Sequence, residues 1–267
     1  MHIAIIGAGN VATVLARLLK QNGHILAGIY NASVASAQTL AGEVSALHYG
    51  NIASITPHAE LYIITVTDTA IAEISNAIKL PGKIVVHTSG ATPKSILSNI
   101  SAYHGVLYPL QSLRKEASHQ PVIPFLIDGS DNIVREEIRA VAESISFSVH
   151  NADDGQRLRL HLAAVMVSNF TNYLYTLAND YCNQQQIPFT ALVPLIEEVA
   201  ARTALYNPAT MQTGPAVRGD LATVEKHLAL LAEYPLQQQV YKQLTESIMA
   251  FYNTVGTKKS PPENRQG

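Results

Sequence analysis

The sequence predicts an α/β chain, a doubly wound sheet domain followed by an all-α domain. Three observations carry that expectation. Up to about residue 150, short β-rich runs alternate with helical patterns, which is how a parallel sheet covered on both faces is written. From residue 151 the strand signal stops and the periodic segments are helical. Finally, Gly7-Ala8-Gly9-Asn10-Val11-Ala12 joins a β-rich pentapeptide directly to a helical run.

Taken in order, His2–Ile6, Ile25–Tyr30, Leu61–Val66, Lys83–His87, Gly105–Tyr108, Pro124–Ile127 and Phe147–His150 read as strands. Pro81-Gly82 and Ser89-Gly90 bracket the Lys83 run as turn residues. Between them, Val11–Asn22 and Ser33–Ala41 read as helices. Asp153–Gln186 reads as one long helix whose first carboxylates favour the positive end of its dipole. Pro188 stops it, and further helices are expected at Leu192–Leu205, Leu221–Ala232 and Leu236–Thr254. The expected domains are therefore 1–150 and 151–256, with a polar, Pro-containing tail at 257–267 expected to be disordered.

Composition narrows the function classes. Of 267 residues only 14% are charged, against roughly 25% in ordinary soluble domains; a charge-poor surface points to an oligomer or to a larger interior. A net charge of −2 leaves no field for nucleic acid or an acidic membrane as partner. The single cysteine, Cys182, excludes an internal disulfide framework and fits a reducing compartment. No apolar run approaches the roughly eighteen residues of a membrane span. Glycines interrupt the N-terminal apolar stretch and no basic segment precedes it, so a signal peptide is not expected and a cytoplasmic location is.

The opening turn has the context of a dinucleotide site. Gly7 permits the tight turn, and Gly9 lets the backbone approach a diphosphate lying on the amides of Asn10 and Val11. Ala12 is small enough for the helix to pack on the strand. A tight strand-to-helix turn without ligand is the alternative. An NAD site places an acid about twenty residues on, at the end of the second strand. Here that end is Tyr30-Asn31-Ala32-Ser33, and Glu43 comes too late. Asn31 and Ser33 can donate to a 2′-phosphate that an acid would repel, so NADP is favoured over NAD, although no Arg stands there.

In an open α/β sheet, ligands occupy the crevice beyond the carboxyl ends of the strands. Three such ends are polar: Thr65-Val66-Thr67-Asp68, His87-Thr88-Ser89-Gly90 and Tyr108-Pro109-Leu110-Gln111-Ser112. Thr67 and Asp68 are cofactor candidates, although for Asp68 the capping of a helix Thr69–Ala77 is favoured over catalysis. Ser89 and Gln111 suit hydrogen bonds to a nicotinamide or substrate, or simply turn polarity. On the long helix, at about 100° per residue, His161, Ser168 and Asn172 share a stripe with Asn169 roughly 80° round. That face suits a proton donor lining a cleft, or a structural histidine. Gly214 and Gly219 flank Arg218, which either receives a substrate carboxylate or pairs with Asp220 while Asp220 caps the next helix. His104, His119, Asp153 and Asp154 lack metal-ligand spacing, and no metal is expected.

With these segments placed, the chain resembles the two-domain Rossmann-like family with a C-terminal helical domain of unknown function. Members of that family bear the label NADP oxidoreductase, coenzyme F-420-dependent. The resemblance covers nearly the whole chain and rests on GAGNVA, VTDTAI, VHTSGA, YPLQS, HLAAVMVSNF and TGPAVRGD. It implies a dinucleotide-binding N-terminal domain and a homodimer through a helical domain of the 6-phosphogluconate-dehydrogenase type. More distantly, the chain is similar to pyrroline-carboxylate and ketopantoate reductases and to hydroxyacid dehydrogenases, which place substrate between two domains. Two departures stand out. The family commonly has His where this chain has Tyr108, and the hydroxyacid dehydrogenases use a Lys on the long helix, where Asp153–Gln186 contains none. His161 would have to substitute.

The expected function is an NADP(H)-dependent oxidoreductase acting on a small, anionic carbonyl or imine substrate. In that reading His161 supplies the proton, assisted by Asn169, Ser89 and Gln111 lie near the nicotinamide, and Arg218 holds the anion. A non-catalytic dinucleotide-binding sensor or scaffold is the alternative. Nothing in these residues recognises the deazaflavin of the family label.

Overall fold

The computed structural model describes residues 1–55, 57–117 and 121–256. His119 and the tail 257–267 lie outside these residues. Two compact units divide the chain, Met1–Phe170 and the remainder from Thr171. The first unit thus runs past the boundary expected at residue 150, and the helix after the last strand carries the buried Arg157.

The first unit is an eight-stranded sheet. Its strands are β1 (His2–Ile6), β2 (Ile25–Tyr30), β3 (Leu47–Tyr49), β4 (Leu61–Ile64), β5 (Ile84–His87), β6 (His104–Pro109), β7 (Phe125–Gly129) and β8 (Val149–Asn151). Their spatial order is β3-β2-β1-β4-β5-β6-β7-β8. Six strands are parallel in the doubly wound order, which reverses between β1 and β4, so the ligand crevice of this architecture opens there. Beyond β6 the fully parallel expectation fails. β7 runs antiparallel to β6, pairing Pro109 with Phe125 and Gly105 with Gly129, and β8 then runs parallel to β7.

Alternation along β1 shows why both faces are buried. Ile3 and Ile5 enter one core with side chains of α1 (Asn10–Gln21), α2 (Val34–Val44) and α4 (Asn132–Ile145), whereas Ala4 and Ile6 enter the other with α3 (Asp68–Ala77). Gly7 is dictated by this packing. Its φ is +132°, and a Cβ there would lie 2.3 Å from Thr65 Oγ1 and 2.6 Å from the Thr65 carbonyl oxygen. Gly7→Ala is expected to cost at least about 2 kcal/mol, read as a Tm lowered by roughly 5 °C. An unchanged melting curve would contradict this account.

After β8 the chain enters α5 (Asp154–Ala164), with Asp153 as its N-cap. Asp153 accepts from Gln156 N–H at 2.7 Å while the Gln156 amide oxygen accepts from Asp153 N–H at 3.1 Å, a capping box that satisfies two donors reciprocally. The expected single long helix is interrupted: Val165–Phe170 is a π-helical segment, followed by α6 (Thr171–Gln184).

The second unit comprises α6, α7 (Val193–Arg202), α8 (Pro208–Met211), α9 (Pro215–Arg218), α10 (Leu221–Leu230) and α11 (Pro235–Gly256). Polar ties hold it together, among them His227 Nδ1 to Tyr241 Oη at 2.8 Å and Tyr252 Oη to the Ala209 carbonyl at 2.8 Å. Among its described hydrophobic residues only Cys182, Ala216 and Val224 are buried, whereas Leu195, Val199, Leu205 and Leu221 are more than half exposed. Among the described residues, no helix is long and apolar enough to cross a membrane.

Candidate functional site

The crevice at the reversal of strand order is formed first by the turn after β1. Gly7 N–H donates to the Tyr30 carbonyl at 2.7 Å, which fixes the turn beside β2. Gly9 is the N-cap of α1, no side chain caps the first amides, and no acid lies in the first turn. A Cβ on Gly9 would meet nothing within 4 Å. Uncapped amides beside open space are what a diphosphate requires. Val11 packs its side chain on the core, while Asn10 Oδ1 accepts from Lys115 N–H at 3.4 Å. At the end of β2, Asn31 Nδ2 donates to the Ser33 carbonyl at 3.3 Å, and Ser33 Oγ caps α2 by accepting from Ser36 N–H. These polar groups gather where an adenosine ribose would lie in this fold.

After β4 the expectation for Asp68 needs correction. Thr67 is the N-cap of α3 and Asp68 its first helical residue, with no side-chain capping bond. The Asp68 carboxylate is exposed, and its negative charge adds to the raising of Tyr108 and opposes the lowering of His87.

Ser89 is also corrected. Its hydroxyl donates to Thr92 Oγ1 at 2.9 Å and accepts from Ala91 N–H at 3.1 Å and Thr92 N–H at 2.9 Å. One donor and two lone pairs are thereby filled, so Ser89 builds the turn and has no capacity left for a nicotinamide. Gly90 follows because His161 is against it: a Cβ there would lie 2.7 Å from the His161 ring.

The end of β6 and the α5–π segment form the walls of a cavity of about 540 Å³. Tyr108, Gln111, Ser112, His161, Ser168 and Asn169 are its polar lining, with Leu110, Leu160, Val165 and Val167 between them. Tyr108 Oη lies 2.9 Å from His161 Nδ1, the rings meeting edge to face at 79°. Burial pushes the Tyr108 hydroxyl up from its ordinary range, so it remains a neutral donor or acceptor. Its bond to Nδ1 orients the imidazole, whose tautomer follows the bond that nitrogen makes. Ser112 Oγ meets Ser168 Oγ at 2.8 Å, tying β6's extension to the π segment. Gln111 lines the cavity with its amide already engaged, Nε2 to the Val122 carbonyl at 3.3 Å and Oε1 from Ser112 N–H at 2.9 Å.

Ser168 shares a wall with His161, as its helical spacing predicts, and the π segment adds Asn169 to the same lining. The stripe expected to continue to Asn172 does not, since Asn172 is an exposed residue of α6 and no part of this lining. Arg218 belongs to the second unit, exposed at the C-terminal end of α9 and in no ion pair with Asp220. Asp220 caps α10, accepting from Thr223 N–H at 3.1 Å and Thr223 Oγ1 at 2.7 Å. Among the described residues no three His, Cys, Asp or Glu side chains converge on a metal site.

Arg157 was not singled out from the sequence. Fully buried one turn before His161, it donates from Nη2 to the Thr92 carbonyl at 2.5 Å and to Asp154 Oδ1 at 2.7 Å. Its spacings of three from Asp154 and four from His161 were the available signal. Beside it, His87 is wholly buried and its pKa is lowered to about 4, by desolvation first and by the Arg157 charge second.

Fold and site together define a dinucleotide-fold protein with a helical C-terminal unit. A Rossmann-like domain matches residues 1–111, and the domain of unknown function DUF2520 matches residues 123–248. A crystal structure from Bacteroides fragilis that carries the designation NADP oxidoreductase is 37% identical, covering 93% of this chain and 98% of that one with a TM-score of 0.87. The chain belongs to the Rossmann-like family that carries the DUF2520 domain. The fold is shared with a reductive aminase of Aspergillus terreus in complex with NADPH and ethyl levulinate (18% identity, 97% and 94% coverage, TM-score 0.73). It is also shared with a Thermotoga maritima protein (21% identity, 95% and 99% coverage, TM-score 0.69). No functionally curated protein matches the chain.

Proposed function

We propose that this protein is an NADP(H)-dependent oxidoreductase that reduces a small carbonyl or imine compound, with His161 as proton donor. The observation that carries the reading is the 2.9 Å bond between Tyr108 Oη and His161 Nδ1 on the wall of the cavity. Gly7, Gly9, Asn10 and Val11 hold the diphosphate, Asn31 and Ser33 receive the adenosine ribose and its 2′-phosphate, and Thr67 and Asp68 close the crevice. The bound reduced nicotinamide supplies the hydride. Reduction of C=O or C=N also needs a proton at the heteroatom. His161 gives it from Nε2 while Tyr108 Oη, able to donate or accept, serves Nδ1 in either protonation state. Asn169 and Gln111 orient the substrate. Among the described residues the cavity wall carries no Asp, Glu, Lys or Arg; Arg218 is the residue proposed for a substrate carboxylate.

Titration with NADPH and NADH, followed by a screen of carbonyl and imine acids read at the nicotinamide absorbance, tests this. NADPH is expected to bind more tightly and at least one compound to turn over. No heat with either nucleotide at millimolar concentration overturns the reading. Binding without turnover of any compound favours a dinucleotide sensor.

A homodimer through the helical unit belongs to the same proposal. A unit with so few buried apolar side chains lacks a core of its own, and exposed apolar stripes of that kind are interface. Leu195 and Val199 lie four residues apart on one face of α7, both more than half exposed. The double variant Leu195→Glu, Val199→Glu is expected to change the light-scattering mass from twice the chain mass to once. A wild-type monomer would refute it.

A further inference from the structure

We propose that Arg157 is the positioning residue of the Tyr108–His161 pair. It ties α5 to the Ser89–Lys94 turn and so holds the His161 ring between that turn and Tyr108. The inference rests on the reading of His161 as proton donor. Arg157 and His161 are four residues apart on α5 and so share a face. From there the Arg157 guanidinium grips the Thr92 carbonyl, and its partner Asp154 accepts Lys94 N–H at 3.1 Å through the same Oδ1. Lys94 Nζ is anchored in turn on Asp128 Oδ2 at 2.7 Å. Within the turn so pinned, Ser89 Oγ fixes Ala91 and Thr92, and Gly90 lies directly against the His161 ring. The contacts therefore run unbroken from Arg157 through Thr92 and Gly90 to His161 and Tyr108.

Packing alone does not account for an arginine here. The side chain has no exposure, and Nε and Nη1 are buried without a hydrogen-bond partner among the described residues. Unmet buried donors cost stability, and an apolar side chain of similar volume is commonly as stable or more so. What the arginine adds is a rigid fork with a fixed charge. That charge faces Tyr108 and His87, with Asp154 and Asp68 as the opposing carboxylates. It bears on the Tyr108 hydroxyl as well as on the geometry of the pair.

The test is the imidazole ¹⁵N spectrum of His161 in the full-length protein, without nucleotide or substrate. Tyr108→Phe defines the signature of an unbonded Nδ1, and Gly90→Ala, which drives a methyl at the ring, defines the displaced one. In Arg157→Met, matched in length but without donors or charge, the His161 resonances are expected to move most of the way to the Tyr108→Phe positions. Arg157→Lys, which restores a cation and a donor, is expected to bring them part of the way back. A folded Arg157→Met with wild-type His161 resonances overturns the proposal. If Arg157→Met does not fold, Asp154→Asn decides, since it loosens the same grip at a half-exposed position. A shift in the same direction supports the proposal and an unmoved spectrum overturns it. A failed reduction screen would remove the proposed function without moving these resonances, so the two failures are distinguishable.

Discussion

Replacing His161 with alanine is expected to lower kcat for reduction of the identified substrate by about 10²–10⁴-fold, with NADPH affinity unchanged. The separation follows from where the side chain lies. His161 lines the cavity at the end of β6 and bonds Tyr108, whereas the turn proposed to hold the diphosphate consists of Gly7, Gly9 and the first amides of α1. Removing the imidazole therefore deletes the proton and leaves the nucleotide's seat intact. Tyr108→Phe is expected to act in the same direction but more weakly, because it removes one hydrogen bond, of about 1 kcal/mol, and leaves the imidazole present. Steady-state kinetics beside a fluorescence titration of NADPH read the two quantities independently. Full turnover in His161→Ala would end the assignment.

Acid is expected to destabilise the protein through His87 well before its carboxylates are neutralised. The unfolded chain protonates this histidine at the ordinary value of 6.5, the folded chain only near 4. Between those values the unfolded state binds more protons, so stability falls as pH falls. Across the interval the loss is about 3 kcal/mol, a Tm difference of roughly 6–12 °C for a protein of this size. His87→Asn removes the titration while keeping an acceptor for Ser89 N–H, which now donates to Nδ1 at 3.2 Å. Thermal melts from neutral pH to about pH 4.5 should show a steep decline for the wild type and a shallower one for the variant. Asp154 is shifted the other way. Burial raises its carboxyl, but the bonds from Arg157 and Lys94 N–H outweigh burial and hold it below the usual range. Its contribution is lost at lower pH, and equally in both proteins. Parallel melting curves would refute the prediction.

The sheet was legible because its strands are short apolar runs bounded by turn residues. β1 and β2 match their expected limits, and the others fall within a few residues. β3 escaped because Leu47-His48-Tyr49 is too short and too polar to carry a period. The reversal at β7 escaped because side-chain alternation is the same for either strand direction. At the candidate site, the strand-to-helix turn at Gly7 and Gly9 and the helical setting of His161 were readable from local context. Tyr108 was not, since the bond that gives it a role spans 53 residues. The π segment escaped for a different reason. A stripe drawn at 3.6 residues per turn assumes a regular helix, and six residues wound more widely end that assumption at Val165. Ser89 stayed open between two readings because a turn-closing hydroxyl and a ligand-binding hydroxyl look alike until the lone pairs are counted.

Two glycines in the opening motif answer to different constraints. Neighbouring backbone forbids a methyl group at Gly7, whereas at Gly9 the empty fold has ample space and an ordinary φ of −82°. An alanine at Gly9 would cost the free protein almost nothing, so its effect is expected on nucleotide affinity and not on the melting curve. The second glycine is thus bare for no reason of the fold's own, and that open backbone is what the proposed approach of a diphosphate to the main chain would use.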